Sequence, residues 1–506
     1  MKIRSLLTIS LLICAFTGGA QVRKNYSPVK PGATEADIIR LAANIAPSKE
    51  QLRWQQLEMT AFFHFGVNTF TDREWGEGTE NPKVFNPSEL DARQWVQACK
   101  DAGFKQVIIT AKHHDGFCLW PTKYTDHSVK NSDWKGGKGD VVKEVSDACH
   151  QLGVGFGVYL SPWDRNNPHY GDSPKYDGIF INMLTELLTN YGKVDEVWFD
   201  GACGEGPNGK KQVYNWSAYY DCIHKLAPQA LIAIVGPDIR WVGTESGYGR
   251  ESEWSVLPLS AADQARISEA SQSNVSIAPT LDYQTQDLGS RAKIKDAKGL
   301  IWYPAETDVS IRPGWFYHST QDNEVKTPEK LLDIYFSSVG YNSVLLLNIP
   351  PDRRGLLHDN DVKAMKGLRT LLDKMYALNF ASTAKISSDG VNEKTMLDNQ
   401  MTTFWTTNGE KETGTINLVL PKSQTVDVLC LQENITVGQR IEKFRLEYNV
   451  EDSWHVAARG TTVGYKRLVR FPSVNAKEFR LVIEESRLNP TISELGLYKS
   501  PVKQGK

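Results

Sequence analysis

The run Gln106-Val107-Ile108-Ile109-Thr110-Ala111-Lys112-His113-His114-Asp115-Gly116-Phe117 opens on β-branched and apolar residues and closes on two histidines, an aspartate and a glycine. From Gln106 to His113 it reads as a buried strand, and the residues after His113 read as a polar loop. The stretches on either side, Asp91–Ala102 and Val141–Leu152, carry apolar residues at three- and four-residue spacing, which predicts amphipathic helices. Outward from this unit, Met59–Gly66, Gly153–Ser161, Asp195–Gly201 and Leu231–Gly236 are strands of the same kind, with helical Gly178–Tyr191 and Ser217–Leu226 between them. Strands alternating with helices in this way favour a closed (β/α)8-type barrel over an open sheet. The later part is less regular. Ile301–Pro304, Gly314–Tyr317 and Ser343–Ile349 are the remaining strand candidates, and the polar stretch from about Glu245 to Lys298 is expected to supply loops at the barrel mouth.

After Pro350-Pro351-Asp352 the pattern changes. Val362, Met365, Leu368, Leu372 and Met375 stand at helical spacing, which predicts a linker helix within 356–379. Beyond it, Phe444, Leu446, Tyr448 and Val450 alternate with polar residues, so 380–506 is expected to form an antiparallel sandwich. That leaves 21–355 for the barrel. Residues 1–20 read as a signal peptide: Lys2 and Arg4 precede an apolar run from Leu6 to Phe16, and Gly18-Gly19-Ala20 offers a cleavage site. Ile13 stands where acylation of Cys14 would need a small residue, so a lipid anchor is not expected. Export to a periplasm or the cell exterior follows from the leader. The other cysteines, Cys99, Cys118, Cys149, Cys203, Cys222 and Cys430, lack paired spacing and read as buried free thiols.

With 58 basic and 60 acidic side chains, the net charge of -2 provides no field to gather nucleic acid or an anionic membrane, and no stretch beyond the leader is apolar enough for membrane insertion. Neutral partners fit better. The 14 Trp and 19 Tyr suit sugars, whose C–H faces stack on aromatic planes, although ordinary core packing explains the same counts equally well.

In a barrel of this type chemistry sits at the C-terminal ends of the strands. The first four strands end on His64-Phe65-Gly66, on His113-His114-Asp115-Gly116, on Tyr159 to Trp163 and on Trp198-Phe199-Asp200-Gly201-Ala202. Histidines, a tyrosine, tryptophans and a carboxylate would then ring one mouth. The alternation of a strand should send His113 and His114 to opposite faces, and no HExxH accompanies them, so no catalytic metal is expected.

Phe63-His64-Phe65-Gly66, Ala111-Lys112-His113-His114-Asp115-Gly116-Phe117 and Val197-Trp198-Phe199-Asp200-Gly201 together make the chain resemble glycoside hydrolase family 29, the α-L-fucosidases, from about Trp54 to Asp352. Glu74-Trp75-Gly76 and Ile239-Arg240-Trp241-Val242-Gly243 resemble the branch that acts on α-1,3- and α-1,4-linked fucose of branched glycans. The resemblance implies a retaining, exo-acting fucosidase with Asp200 as nucleophile. It also implies His64, His113 and His114 as fucose-hydroxyl contacts, Tyr159 near the nucleophile, and Glu74, Trp75 and Trp315 as sugar-binding groups, a plain core role for Trp315 staying open. Retention needs a second carboxyl as acid and base. Glu245, Glu251, Glu253 and Glu306 are the candidates, all expected on loops, and Glu245 is chosen because it follows the Arg240–Gly243 segment. The others are expected to pair with Arg240 or Arg250. No cofactor is implied, and the expected substrates are fucosylated oligosaccharides or glycoprotein glycans.

Leu397-Asp398-Asn399 with Thr403 and Trp405, Gly460–Arg467, and Ile492-Ser493-Glu494-Leu495 resemble the discoidin-like, or galactose-binding-like, sandwich. Such sandwiches often hold a structural calcium near the first loops, and one is allowed for here without assigned ligands. Two competing readings stay open: a non-catalytic fucose- or galactose-binding protein on the same barrel, and a galactosidase-type glycosidase.

Overall fold

The computed structural model describes residues 25–259 and 287–502. The predicted leader therefore lies outside the described residues, as does 260–286 of the long polar stretch. Eight strands run parallel in one sheet: β1 (Met59–Phe63), β2 (Gln106–Lys112), β3 (Gly155–Leu160), β4 (Glu196–Phe199), β5 (Leu231–Ile234), β6 (Arg240–Trp241), β7 (Ala305–Ser310) and β8 (Ser343–Asn348). Their order is β5-β4-β3-β2-β1-β8-β7-β6. A parallel bridge from Ala233 to Ile239, at the two ends of that order, brings the sheet round on itself as a barrel.

Alternation sorts every strand into an outer and an inner face. Phe63, Val107, Ile109, Val158, Val197, Phe199, Ile232, Leu345 and Leu347 point outward and pack on the helices. Phe62, Ile108, Tyr159, Trp198, Leu231, Ala233, Ile239, Val344 and Leu346 belong to a second, inner cluster. The helices start where their sequence says they should. The Asp91 side chain accepts from the backbone of Gln94 ahead of helix Ala92–Asp101, and Asp140 accepts from Lys143 ahead of Val141–Leu152. Gly153, in the left-handed region at φ 67°, then ends the second helix and turns the chain into β3.

Two of the three later strand candidates are corrected. The Ile301–Pro304 candidate overlaps Gly299–Trp302, but that strand leaves the barrel to join a small antiparallel sheet with Tyr26–Pro28 and Val256–Pro258. Gly314–Tyr317 is a loop, pinned where Trp315 and Phe316 donate their backbone N–H groups to Glu74. The missing barrel strands are β6 and β7. Reading β7 as a strand from its letters is hard because Ala-Glu-Thr-Asp-Val-Ser looks like a loop, yet all six residues are buried. Glu306 and Asp308 face inward, where indole donors meet them.

Helix Asp359–Tyr376 leads from the barrel to strands that pair antiparallel throughout, chiefly Gly414–Gln432, Ile441–Val450, Ser453–Gly460, Arg467–Ser486 and Glu494–Tyr498. Phe444 and Leu446 are buried in their core, whereas Val450, at the strand end, is exposed. All six described cysteines are free, and five of them are buried. Among the described residues no helix is long and apolar enough to cross a membrane.

The sandwich is tied to the barrel at Glu58, just ahead of β1. Lys466 forms an ion pair with this carboxylate, and Tyr335 donates to it at 2.8 Å. Burial pushes the Glu58 carboxyl up, but the Lys466 ammonium, helped by the Tyr335 hydroxyl and Lys105, holds the pKa below the ordinary range. A depressed carboxyl contributes stability above its unfolded pKa and loses it as pH falls. Lys466→Ala should therefore cost about 3 kcal/mol at pH 7, because it strands a buried charge. The difference from the parent should shrink toward pH 4, as urea unfolding at the two pH values would show.

Candidate active site

One cavity of about 170 Å³ opens at the C-terminal ends of the barrel strands. Phe62, His64, Glu74, Trp75, His113, His114, Tyr159, Trp198, Asp200, Ala202, Glu245 and Trp315 line it, so the nine residues assigned a site role from the sequence meet there, without the passed-over glutamates. Its size suits one sugar ring rather than a chain. A larger groove of about 880 Å³ on the outer rim shares no lining residue with it. The Glu80 carboxylate in that groove is already taken by the backbone N–H groups of Glu77 and Gly78.

Asp200 leaves β4 one residue past its end, on the inward side. Its Oδ1 accepts from the backbone N–H of Ala202 at 2.7 Å and its Oδ2 from the Tyr159 hydroxyl at 3.1 Å. Burial pushes the carboxyl up, and these two donors pull it back toward the charged form. Tyr159 is itself held in a stack, with ring centroids 5.3 Å from Trp198 and 5.8 Å from His113.

The histidines are neutral, and their neighbours set the tautomers. Asn348 Oδ1 accepts from the backbone N–H of His64 at 3.2 Å and also lies 2.8 Å from its Nδ1, so Nδ1 must be the protonated nitrogen. The Asn348 amide is in turn spent on Ser310 Oγ and on the carbonyl of Trp315. His114 Nδ1 lies 2.7 Å from Ser161 Oγ, whose own hydroxyl donates to the Trp163 carbonyl, so His114 also carries its proton on Nδ1. Both rings keep a bare Nε2 for the cavity, an acceptor suited to a sugar hydroxyl. His114 Nε2 is 3.8 Å from Asp200 Oδ2. Burial pushes His64 and His114 down to about 3, and His113 goes well below its ordinary value, with burial the main cause and the other two imidazoles adding to it.

The expected opposition of His113 and His114 is not what is found. β2 ends at Lys112, after a register shift between Thr110 and Lys112, so strand alternation no longer governs the next two residues. Both rings reach the same cavity with centroids 4.2 Å apart. Among the described residues no cluster of three or more His, Cys, Asp or Glu side chains could hold a metal ion.

The outer wall is built from loops. Trp75, 44% exposed, sets its edge against His114 and Trp163. Glu74 accepts from the backbone N–H groups of Trp315 and Phe316 at 2.7 and 3.1 Å and from His318 at 2.7 Å, and so clamps the Trp315 loop against the mouth. Trp315 donates its indole N–H to Glu245 at 3.2 Å. Glu245 sits exposed on the loop after β6 with its carboxyl toward the cavity. Packing around that carboxyl pushes its pKa up, and the charges of Asp200 and Glu74 push the same way while Trp315 opposes them.

The other glutamates are elsewhere. Glu306 is not on a loop: it is a fully buried residue of β7, bonded to the Trp198 indole at 2.8 Å. Glu253 is buried against Arg240 and Arg250, as expected of an unused candidate. Glu251 pairs instead with Arg467 of the C-terminal sandwich, at 3.1 Å. Sequence reasoning passed over Asn348, although it is the polar residue that ends β8 and the rule applied to the first four strands would have found it. Asn348→Asp should put a negative charge against Nδ1 and raise the His64 pKa. In side-chain NMR titrations, imidazolium at this ring should then appear by about pH 5, whereas the parent ring should stay neutral.

Comparison with known proteins agrees with this geometry. Residues 45–375 match the family described as alpha-L-fucosidase. "Alpha-L-fucosidase 1" of Arabidopsis thaliana is 41% identical over 464 residues, which cover 89% of this chain and 87% of that protein. A solved structure from Bacteroides ovatus has 49% identity and a TM-score of 0.85, covering 95% of this chain and 79% of the other. A Ruminococcus gnavus GH29 fucosidase in complex with fucose has 31% identity and a TM-score of 0.79, covering 90% of this chain and 95% of the other. Since the matched stretch contains all eight barrel strands and the cavity they enclose, the chain belongs to the α-L-fucosidase family, the glycoside hydrolases of family 29.

Proposed function

We propose that this α-L-fucosidase acts by the retaining mechanism, with Asp200 as nucleophile and Glu245 as general acid and base. The observation that carries the reading is the unequal setting of two carboxyls on one small cavity. Asp200 is oriented by Ala202 N–H and Tyr159 O–H, donors that favour a carboxylate ready to attack the anomeric carbon. Glu245 stands at the solvent rim, where a leaving sugar departs, and packing together with the charges of Asp200 and Glu74 favours its protonated form. In the first step Asp200 would displace the leaving oxygen as Glu245 donates its proton. In the second, Glu245 would take a proton from water as that water breaks the fucosyl–Asp200 bond. The bare Nε2 atoms of His64 and His114 would accept from fucose hydroxyls, His113 would serve beside them, and Trp75 and Trp315 would face the ring and its C6 methyl. No cofactor enters this scheme.

The substrate reading is finer. Trp75 and the loop carrying Glu245 form the side of the cavity that an aglycone would meet, and both belong to segments resembling the α-1,3/1,4 branch, which supports terminal fucose on branched glycans. The same reading places the protein outside the cytoplasm on the strength of its leader, and takes the antiparallel C-terminal part as discoidin-like.

Asp200→Ala should fold normally and lose nearly all turnover on every substrate. Glu245→Ala should divide substrates by leaving group, because an activated phenol departs without an acid and a sugar does not. Hydrolysis of fucosyl-oligosaccharides should fall at least 100-fold more than that of nitrophenyl fucoside, and azide should restore turnover on the latter. Equal losses on both with no azide effect would remove Glu245 from the role. Separately, Lewis-type trisaccharides should be cleaved at least tenfold faster than simple α-1,2-fucosides in a product-release assay, and equal rates would end the linkage reading.

A further inference from the structure

Beneath the sugar cavity the barrel interior holds two more carboxyls that the reaction does not use. Glu196 enters from β4, two residues before Trp198, and Glu306 enters from β7, two strands past β5 around the ring. Neither has any exposed surface. Their hydrogen bonds can be counted atom by atom. Glu196 Oε2 accepts from the Trp54 indole at 3.1 Å and from the Gln106 amide at 2.6 Å. Glu306 Oε1 accepts from the Trp198 indole at 2.8 Å. The two oxygens left over, Glu196 Oε1 and Glu306 Oε2, are buried and meet no donor, while the two carboxyl groups are in hydrogen-bonding contact with each other.

Only one proton count satisfies this arrangement. With none, two carboxylates would press bare lone pairs together in a dry interior. With two, one hydroxyl would have no acceptor, because Oε2 of Glu196 and Oε1 of Glu306 already face N–H donors. With one, Glu306 Oε2–H donates to Glu196 Oε1 and every polar atom of the pair is engaged. We propose that Glu196 and Glu306 share a single proton across the barrel interior, and that the neutral Glu306 acid so formed is a positioning residue that fixes Trp198 beneath the sugar.

The surroundings offer no substitute for that proton. The charges that bear on the pair are acidic: Asp195 on the outer face of β4, already bonded to Arg53 and Lys193, and Asp308 one layer above on β7. Arg240 on β6, next to β7, is committed to Glu253. Burial pushes both carboxyls up; the charge of Glu196 pushes Glu306 up further, while the Gln106, Trp54 and Glu306 contacts draw Glu196 back toward its charged form. The consequence for the site runs through Trp198, whose ring stacks on Tyr159, the donor to Asp200. The link to catalysis rests on the assignment of Asp200; the proton count does not.

The test is a pair of isosteric substitutions, singly and together. Glu306→Gln can accept from Trp198 with its oxygen and donate to Glu196 with its amide. Glu196→Gln can accept from Trp54 and Gln106 and donate to an ionised Glu306. Each single variant should fold and keep kcat/KM on nitrophenyl fucoside within about tenfold of the parent. In the double variant the outer donors force both amide nitrogens inward, N–H against N–H, and its loss of stability should exceed the sum of the single losses. The pH dependence of unfolding reads the proton without substrate. A buried carboxyl with a raised folded pKa binds a proton that the unfolded chain has released, so stability falls as pH rises from the unfolded carboxyl range through the folded value. Above about pH 5, and up to the raised folded pKa of Glu306, one such proton costs the parent about a tenfold change in the folding equilibrium per pH unit, and Glu306→Gln should remove that contribution to the slope. An unchanged slope in Glu306→Gln, or additive effects in the double variant, would overturn the shared proton. The normal slope change with unaltered KM and kcat in Glu306→Leu, if that variant folds, would overturn the positioning role alone.

Discussion

Closing eight parallel strands into a ring forces every second side chain into a space that water does not enter, and whatever stands there must find its partners inside. In β4 that rule stacks Glu196, Trp198 and Asp200 along one inward line, and in β7 it stacks Glu306, Asp308 and Ser310. The lower layer of each strand is carboxyl, the middle layer is the Trp198 indole in β4 and a carboxyl met by the Trp241 indole in β7, and above them Asp200 opens on the cavity while Ser310 is bonded to Asn348 and Gly314. A barrel filled by branched aliphatic residues alone would close more simply. Here part of the interior is polar, and the indoles of Trp54, Trp198 and Trp241 supply the N–H donors that make buried carboxyls tolerable.

The mouth inherits its order from those layers. Trp198 supports Tyr159, Tyr159 orients Asp200, and Asn348 at the end of β8 fixes the proton of His64. These groups come from rigid strands or from the residues just past them, so their geometry is set before any ligand arrives. Glu245, Trp75 and Trp315 come from loops instead: Trp315 joins Glu245 and Glu74 to one another and meets the barrel wall through Asn348, and Trp75 packs on His114 and Trp163. In the proposed reading, fucose would meet the strand ends together with Trp75 and Trp315, and the aglycone would meet the loop side that carries Glu245.

Much of this was readable in one dimension. The first five strands announced themselves because their outward halves are β-branched or aromatic, and their ends are polar because they leave the core. β6 and β7 stayed hidden for the opposite reason. Arg240, Glu306 and Asp308 are residue types that water normally keeps at the surface, and nothing local in the letters says that Glu253, Trp198 and Trp241 wait for them.

The sequence by itself determined the barrel class and the C-terminal change to antiparallel strands, each written in a period of two or of three to four residues, and the strand-end side chains at the mouth, each a polar or aromatic residue closing a strand; Glu74, Trp75, Glu245 and Trp315 are legible only through the family resemblance. Only the tertiary structure decided that His113 and His114 share a face, that Glu251 belongs to the sandwich contact, and that Glu306 lies in the barrel interior rather than on a loop. The physical reason is range. Propensity and periodicity act between neighbours, whereas the desolvation of a charge and the donor that relieves it lie about a hundred residues apart in the chain and come together only when the ring closes.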